Sequence, residues 1–460
     1  MTDLHTQLQY LYKLERFEKI KPGLTVMRKL LHELGNPQDA FPSIHIAGTN
    51  GKGSVAAMLA SMLQHVSPLI RGAGGVNIGR YTSPHLIRFN ERVTINNRPV
   101  TDAALAGLIS DVRAAAARAQ INPTFFEFTT ALAFLHFAHE QVDAAVIEVG
   151  MGGDLDATNV ITPKLTIITN IGRDHTRWLG VTHHAIAEHK AGIIKPGVPL
   201  ITAERKTTLL NYFQDICRQK DAPLLPVHQH LKARRISQNL EGQTFVAQQE
   251  TFTLPLLGRH QIDNALTALL AFSEFVTSPL LKIGKWNSFI IQKEVLIAAN
   301  AGLKNIRWPG RLQIFSRDPF ILLDGAHNPP AVRALARTLD ELPLPEPGVL
   351  ILGSKYDKNI APILKHIVPR FQKIIVTEAN FQPMPAAELT RRIAHFLPLP
   401  ERNPPVGGKG KKAAAVRIQT IPNPKDALAA AQKELEANKM LLITGSLYLV
   451  GDALQALEQS

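Results

Sequence analysis

Residues 47–54 read AGTNGKGS, and no other feature of the chain restricts its fold so tightly. SIHIAG (43–48), just before, is a short apolar run suited to a buried strand. VAAMLASMLQHV (55–66), just after, reads as a helix. Strand, glycine-rich turn and helix in that order open a βαβ unit, so a mainly parallel sheet with covering helices is predicted. Gly48, Gly51 and Gly53 let the backbone wrap closely round an anion, and the helix N-terminus adds free N–H groups and a positive dipole end. Lys52 is placed to reach the outer phosphates of a nucleotide, and Ser54 to help hold a magnesium ion. The loop departs from the common P-loop, because the glycine expected five residues before Gly51 is missing and Lys52 is followed by glycine. A glycine-rich turn with a solvated lysine is the competing reading; the strand and helix on either side favour a phosphate loop.

The same alternation continues along the chain. AAVIEVG (144–150) and LTIITNIG (165–172) read as two more strands of the first sheet. After residue 308, FILLDG, GVLILG, KIIVTEA, VRIQTI and KMLLITG each precede a plausible helix, which predicts a compact doubly wound, Rossmann-like α/β domain. The stretch 205–308 is less regular, with strand-like TFVAQQETFTLPL and helical HQIDNALTALLAFSEFV. AGLKNIRWPG, lacking clear periodicity, marks the boundary. The expected organisation is therefore α/β throughout: an N-terminal P-loop ATPase-like domain over 1–300 and a smaller C-terminal domain over 309–460. ERNPPVGGKGKKAAA (401–415) reads as a basic loop inserted between a helix and a strand.

Composition narrows the function. Leu4, Leu8, Leu11 and Leu14 recur at helical spacing among charged residues, so the N-terminus reads as an amphipathic helix and not a signal peptide. No apolar run approaches the roughly 18 residues of a membrane span. Cys217 is the single cysteine, which excludes an internal disulfide or a thiolate cage and fits a reducing compartment, so a cytoplasmic protein is expected. Lys plus Arg is 51 against 38 Asp plus Glu, so the formal charge is 51 − 38 = +13. That excess suits small polyanions, nucleic acid or a merely soluble basic surface. The 6% aromatic content, without an aromatic-studded basic block, disfavours a nucleic-acid platform.

Several other residues carry chemistry of their own. Glu148 ends a buried strand ahead of a Gly-Gly turn, at the edge where α/β sheets bind ligands; it is a hard oxygen ligand suited to Mg2+, or else an acidic cap. His175, at an Asp-His turn after the next strand, is either a ligand or a hydrogen-bonded loop residue, and Asp174 could orient it. Asp324 and His327, in LLDGAHNP, follow a strand, where a turn with an aspartate cap is the ordinary reading. Asn264 is either solvent-facing or, given Ala265 and Ala268 beside it, closely packed. Lys190 falls on the apolar helix face of Ile186, Ala187, Ile193 and Ile194. It either snorkels to water or is buried with a lowered pKa.

GTNGKGS, YTSPHLIRFNER (81–92), EVGMGGDLDATNVI (148–161), DHTRWLG (174–180), HKAGIIKPG (189–197), GRHQIDNA (258–265), WPGRLQ (308–313), DGAHNP (324–329) and TGSLYLVG (444–451) together resemble the blocks of folylpolyglutamate and dihydrofolate synthases, of the Mur ligase superfamily, in that family's order. The resemblance implies an ATP-dependent amide ligase that activates a folate or dihydropteroate carboxylate as an acyl phosphate and joins it to L-glutamate. It implies ATP and Mg2+, a monomer, and no nucleic-acid or membrane partner. Residue by residue, it implies a phosphate loop of Gly48, Thr49, Asn50, Gly51, Lys52, Gly53 and Ser54, and a magnesium held by Ser83, Glu148 and His175. Asn264 and Arg311 would contact the nucleotide, Asp324 its ribose and His327 its phosphates. Lys52, His175, Lys190 and His327 would serve catalysis, with Lys190 carried as a carbamate. The YTSPHLIRFNER segment, Arg88 included, would face the folate. Two departures stand out: Asp154 where many relatives carry arginine, and a long connection HVSPLIRGAGGVNIGRYTSP before that segment. The rival readings are a peptidoglycan Mur ligase acting on a UDP-sugar and a non-catalytic nucleotide-binding regulator. The glycine-rich form of the phosphate loop, the YTSP block and the lack of an N-terminal UDP-binding domain argue against the first.

Overall fold

A computed structural model of the chain describes residues 4–15, 23–66, 76–277, 288–397 and 416–459. The basic segment 401–415, and 67–75 of the long connection before the YTSP block, lie outside the described residues. Two compact units form: Met1–Ser237, Gln243–Pro255 and His260–Arg307 make one, and Gln238–Gly242, Leu256–Arg259 and Trp308–Ser460 the other.

The first unit is built on eight strands: β1 (Ser43–Ala47), β2 (Ile78–Tyr81), β3 (Val93–Ile95), β4 (Arg98–Pro99), β5 (Ala144–Glu148), β6 (Leu165–Ile168), β7 (Leu200–Thr202) and β8 (Leu224–Pro226). They lie in the order β4-β3-β2-β5-β1-β6-β7-β8. From β2 to β8 every pairing is parallel. Both faces are covered, and β1 and β5 are buried along their whole length, which is why they read as continuous apolar runs and not as alternations. At one edge of this mainly parallel sheet β3 and β4 join antiparallel. Asn96 and Asn97 between them have φ of 50° and 61°, the two left-handed residues that a tight hairpin turn requires.

The irregular stretch of the sequence proves more regular in space. It holds helices Thr207–Gln219, Arg259–Thr277 and Ser288–Lys304, and a three-stranded sheet in the order β11-β10-β9 from β9 (Ala233–Gln238), β10 (Gln243–Ala247) and β11 (Glu250–Leu254). The Ser288–Lys304 helix continues into the AGLKN segment that the sequence marks as a boundary. Its Gly302 packs directly on Met62 of the Lys52–His65 helix, and Ser61 Oγ donates to Gly302 O at 2.8 Å. A side chain at 302 would stop that approach, so the glycine that looks like a breaker is a helix–helix contact. The N-terminal Leu4–Glu15 helix buries Leu11 and packs Leu4, Leu8 and Leu14 against the same core as helices Asp102–Arg118 and Phe125–His139.

The second unit has six strands, β12 (Gln313–Arg317), β13 (Phe320–Asp324), β14 (Glu346–Leu352), β15 (Lys373–Val376), β16 (Arg417–Thr420) and β17 (Lys439–Thr444), in the order β12-β13-β17-β14-β15-β16. The five strands read from sequence are parallel, and each is followed by a helix. β12 is an antiparallel addition paired with β13. Among the described residues no helix is long and apolar enough to cross a membrane.

The Phe125–His139 helix is fixed at its start by a reciprocal cap: Thr124 Oγ1 accepts from Glu127 N at 3.2 Å, and Glu127 Oε2 accepts from Thr124 N at 2.8 Å. Thr124→Ala is expected to cost about 1 kcal/mol. In thermal unfolding that is a fall of roughly 2–4 °C in the midpoint of the first unit.

Candidate active site

The carboxyl ends of β2, β5, β1 and β6 lie side by side, and each leads into one of the predicted segments: Ser83, Glu148, the 47–54 loop and His175 respectively. This is the edge at which open α/β sheets bind ligands.

The 47–54 loop is clamped by the segment after β6. Thr49 N donates to Asn170 O at 2.9 Å and Asn50 N to Asn170 Oδ1 at 3.0 Å. Thr169 Oγ1 and Asn170 Nδ2 both donate to Asn50 O, at 2.7 and 3.0 Å. Gly48, at φ +145°, leaves no room for a Cβ against Thr169 Oγ1. Gly51, at φ +87°, leaves none against Asn264 Oδ1. Asn264 is thus packed on the loop, as its small neighbours suggested, with its Nδ2 donating to Gln261 Oε1 at 2.9 Å. The Lys52–His65 helix starts with Gly51 at its N-cap and has no side-chain cap, so its first N–H groups face outward. Lys52 Nζ curls back to Gly48 O at 3.2 Å, and Ser54 is buried in the first turn.

Lys190 does not snorkel. It is 4% exposed, and its Nζ donates to Gly48 O at 2.9 Å. Burial first, and the Lys52 charge second, bring its pKa down to about 7, against a smaller pull upward from Asp174 and Asp156. The segment carrying it is tied to the GGDLD turn: Asp154 N donates to His189 O at 2.9 Å, and the Asp154 carboxylate lies 3.0 Å from His189 Nδ1. Asp154, the departure from the relatives' arginine, therefore has an imidazole as its partner. Glu148 Oε2 accepts from Ser83 N at 3.1 Å, which brings these two predicted ligands together. His175 has φ 49° and caps the short Thr176–Leu179 helix. Asp174 Oδ1 accepts from its backbone N at 2.8 Å, whereas the ring Nε2 is 4.0 Å away, so Asp174 holds the His175 backbone and not its ring.

Two groups here escaped the sequence reading. Asp156 is buried and accepts from Met151 N, Thr158 N and Thr158 Oγ1, and burial raises its pKa. His45 Nε2 lies 2.8 Å from the same Thr158 hydroxyl and stays neutral, its pKa brought down to about 3 mainly by burial. The Asp-x-Thr spacing of an aspartate cap was the available signal. In the YTSPHLIRFNER segment, Arg88 is exposed and paired with Asp102 at 2.6 Å. Arg92 is buried and donates from Nε to His85 Nδ1 at 2.8 Å.

In the second unit Asp324 ends β13. Its two oxygens accept from Leu312 N and Ala326 N, both at 2.9 Å, and burial raises its pKa. The aspartate cap is therefore present. His327 Nδ1 is 2.9 Å from Gly325 O, which puts the proton on Nδ1 and leaves Nε2 to point elsewhere. Gly325 N donates to Gly310 O, and Arg311 lies against Gly325, so Arg311, Asp324 and His327 share one end of this sheet.

Residues 46–272 match the Mur ligase middle domain, and residues 310–447 the glutamate ligase domain of Mur ligases. The folylpolyglutamate synthase of Lacticaseibacillus casei is 32% identical over 97% of both chains. The dihydrofolate synthase/folylpolyglutamate synthase of Bacillus subtilis is also 32% identical, over 94% of both. The chain belongs to this family of Mur ligases. Its fold matches Escherichia coli FolC in complex with DHPP and ADP with a TM-score of 0.80 and 26% identity, over 100% of this chain and 98% of that one.

Mg2+ suits the donors at this edge, because a carboxylate and two serine hydroxyls are hard oxygen ligands. Among the described residues no three His, Cys, Asp or Glu side chains form a ready-made cage.

The depressed Lys190 pKa has a signed consequence. Between about 7, its folded value, and roughly 10.4, the value of an unfolded lysine, the unfolded chain binds a proton that the folded one does not. Stability therefore rises with pH across that window. Urea unfolding at pH 7 and pH 9.5 is expected to show this rise in the wild type and a smaller one in Lys190→Met.

Proposed function

We propose that the chain is an ATP-dependent ligase that joins L-glutamate to the carboxylate of dihydropteroate or a reduced folate. The observation that carries this reading is the side-by-side placement of an uncapped helix N-terminus with Lys52, the Ser83–Glu148 pair and buried Lys190, at the carboxyl ends of four neighbouring strands. A free carboxylate is a poor electrophile, so the acceptor must be activated. Its oxygen attacks the γ-phosphate of ATP, ADP leaves, and an acyl phosphate results. The glutamate amine then attacks the acyl carbon, expels phosphate and loses a proton, leaving an amide.

The loop N–H groups and Lys52 bind the phosphates and offset the charge moved onto the leaving ADP, so catalysis is mainly positioning and electrostatics. Mg2+, held by Ser54, Ser83, Glu148 and His175, would supply further charge neutralisation. Asn264, packed on Gly51, lines the nucleotide side of the loop. Within the second unit, Arg311, Asp324 and His327 are the residues that the resemblance assigns to the nucleotide, Asp324 with the lone pairs that its two backbone bonds leave over. Lys190, with a pKa near 7, has enough neutral amine to add CO2 and become a carbamate, which turns a cation beside the phosphates into an anion that helps hold the metal shell. The working form is a single chain in the cytoplasm.

ATP-dependent incorporation of labelled glutamate, with dihydropteroate and a reduced folate side by side and a UDP-muramoyl substrate as control, tests the assignment. Incorporation with neither pterin acceptor refutes it. Lys52→Ala is expected to abolish ATP turnover while circular dichroism and thermal midpoint stay unchanged; a normal turnover number would remove the loop from the phosphates. Lys190→Ala is expected to lose ligase activity and to regain part of it when a short carboxylic acid is added to fill the vacated space. An absence of rescue, with no carbamate carbon signal from the wild type in labelled bicarbonate, would leave Lys190 acting as an amine.

A further inference from the structure

The Thr82–Arg92 loop ties most of its polar groups to itself, to Glu148 and to the Val100–Asp102 segment. Thr82 N donates to Arg92 O at 3.0 Å and closes its neck. Glu91 accepts from the N–H groups of Leu86, Ile87 and Arg88 at 2.7, 3.0 and 2.6 Å. Asn90 Nδ2 reaches Val100 O and Asp102 Oδ1. The Arg92 guanidinium is an exception. The residue is 4% exposed, and its guanidinium carbon lies 5.1 and 5.7 Å from the ring centres of Phe125 and Phe89. Of its five N–H groups only that on Nε has a hydrogen-bond acceptor among the described residues, the Nδ1 of His85 at 2.8 Å. No described carboxylate pairs with it. The η donors, which have no partner among the described residues, are left for a ligand that brings the acceptors.

The chemistry of the His85–Arg92 bond is settled by its donor. Arginine Nε cannot accept, so His85 Nδ1 carries the lone pair and the ring proton sits on Nε2. The two phenyl rings flank the guanidinium carbon, and His85 holds its Nε edge. The Nε edge is turned to His85, and the fork of two η nitrogens is left for a carboxylate to engage in a bidentate manner. We propose that His85 is a positioning residue for the acceptor substrate: its Nδ1 orients Arg92 so that the η fork meets a carboxylate of the folate or dihydropteroate. This rests on the ligase reading above, in which this loop faces the acceptor.

The test compares His85→Asn, His85→Gln and His85→Leu in the full chain, measuring glutamate ligation with dihydropteroate and with a reduced folate. Asparagine places an acceptor where Nδ1 was, glutamine places its polar end near Nε2, and leucine offers none. Leu and Gln are expected to raise the acceptor KM about 10- to 100-fold, the scale of one charge-assisted hydrogen bond, with the ATP KM within about twofold of wild type. Asn is expected to restore most of the loss. If Leu does not fold, the Gln and Asn pair decides. An acceptor KM unchanged in Gln, a rescue by Gln and not by Asn, or an equal rise in the ATP KM would each overturn the proposal. A wild type that ligates neither acceptor would overturn the ligase reading, and this one with it.

Discussion

The bond from Lys190 Nζ to Gly48 O joins two parts of the chain 142 residues apart, and the site depends on it. Gly48 sits where β1 becomes the phosphate loop, pressed against Thr169 on one side, while Lys190 reaches it from a helix that buries Ile186, Ala187 and Ala191 in the apolar core. An amine buried this deeply is held by a single carbonyl, next to a second cation, Lys52. The loop is therefore held by an amine whose charged form is disfavoured by burial and by the neighbouring Lys52. The same geometry makes the loop rigid and makes it receptive to anions.

That geometry explains which parts of the molecule could be read from sequence. The parallel strands β1, β5, β6 and β13 to β17 were legible because buried parallel strands are short apolar runs, whereas β2, β7 and β8, only three or four residues long, were not read. The phosphate loop was legible because its glycines answer steric demands now visible at Thr169 and Asn264. The antiparallel strands β4 and β12 were not. β4 spans only Arg98–Pro99 and is exposed, and the strand pattern of β12 is broken by its irregular pairing with β13. The helical course through AGLKN was hidden for another reason: Gly302 is there to admit Met62, and no local pattern reveals a partner more than 200 residues away.

Site residues divide the same way. Motif residues with outward chemistry, such as Lys52, Glu148 and Ser83, were found from sequence, and so was Lys190 as an anomaly on an apolar face. What escaped was the support beneath them. Asp156 and His45 meet through a threonine hydroxyl, and His85 meets Arg92 across a loop. Such pairs have no fixed spacing; they exist only once β1, the Asp154–Asp156 turn and the loop after β2 are folded together.

The partners given to each charge account for the +13 balance better than its total does. Away from the site, arginines pair with carboxylates: Arg118 with Glu33, Arg317 with Glu241, Arg370 with Asp340. At the site, cations are held by neutral groups instead. Lys52 uses backbone carbonyls, and Arg92 uses an imidazole and two aromatic rings. The buried carboxylates nearby are committed elsewhere, Asp156 to backbone N–H groups and a threonine. A dipole orients a cation without cancelling its charge, whereas a carboxylate would cancel it. The positive potential at this edge therefore survives folding and remains available to phosphate and carboxylate groups, which makes the arrangement suited to a reaction whose substrates are all anions.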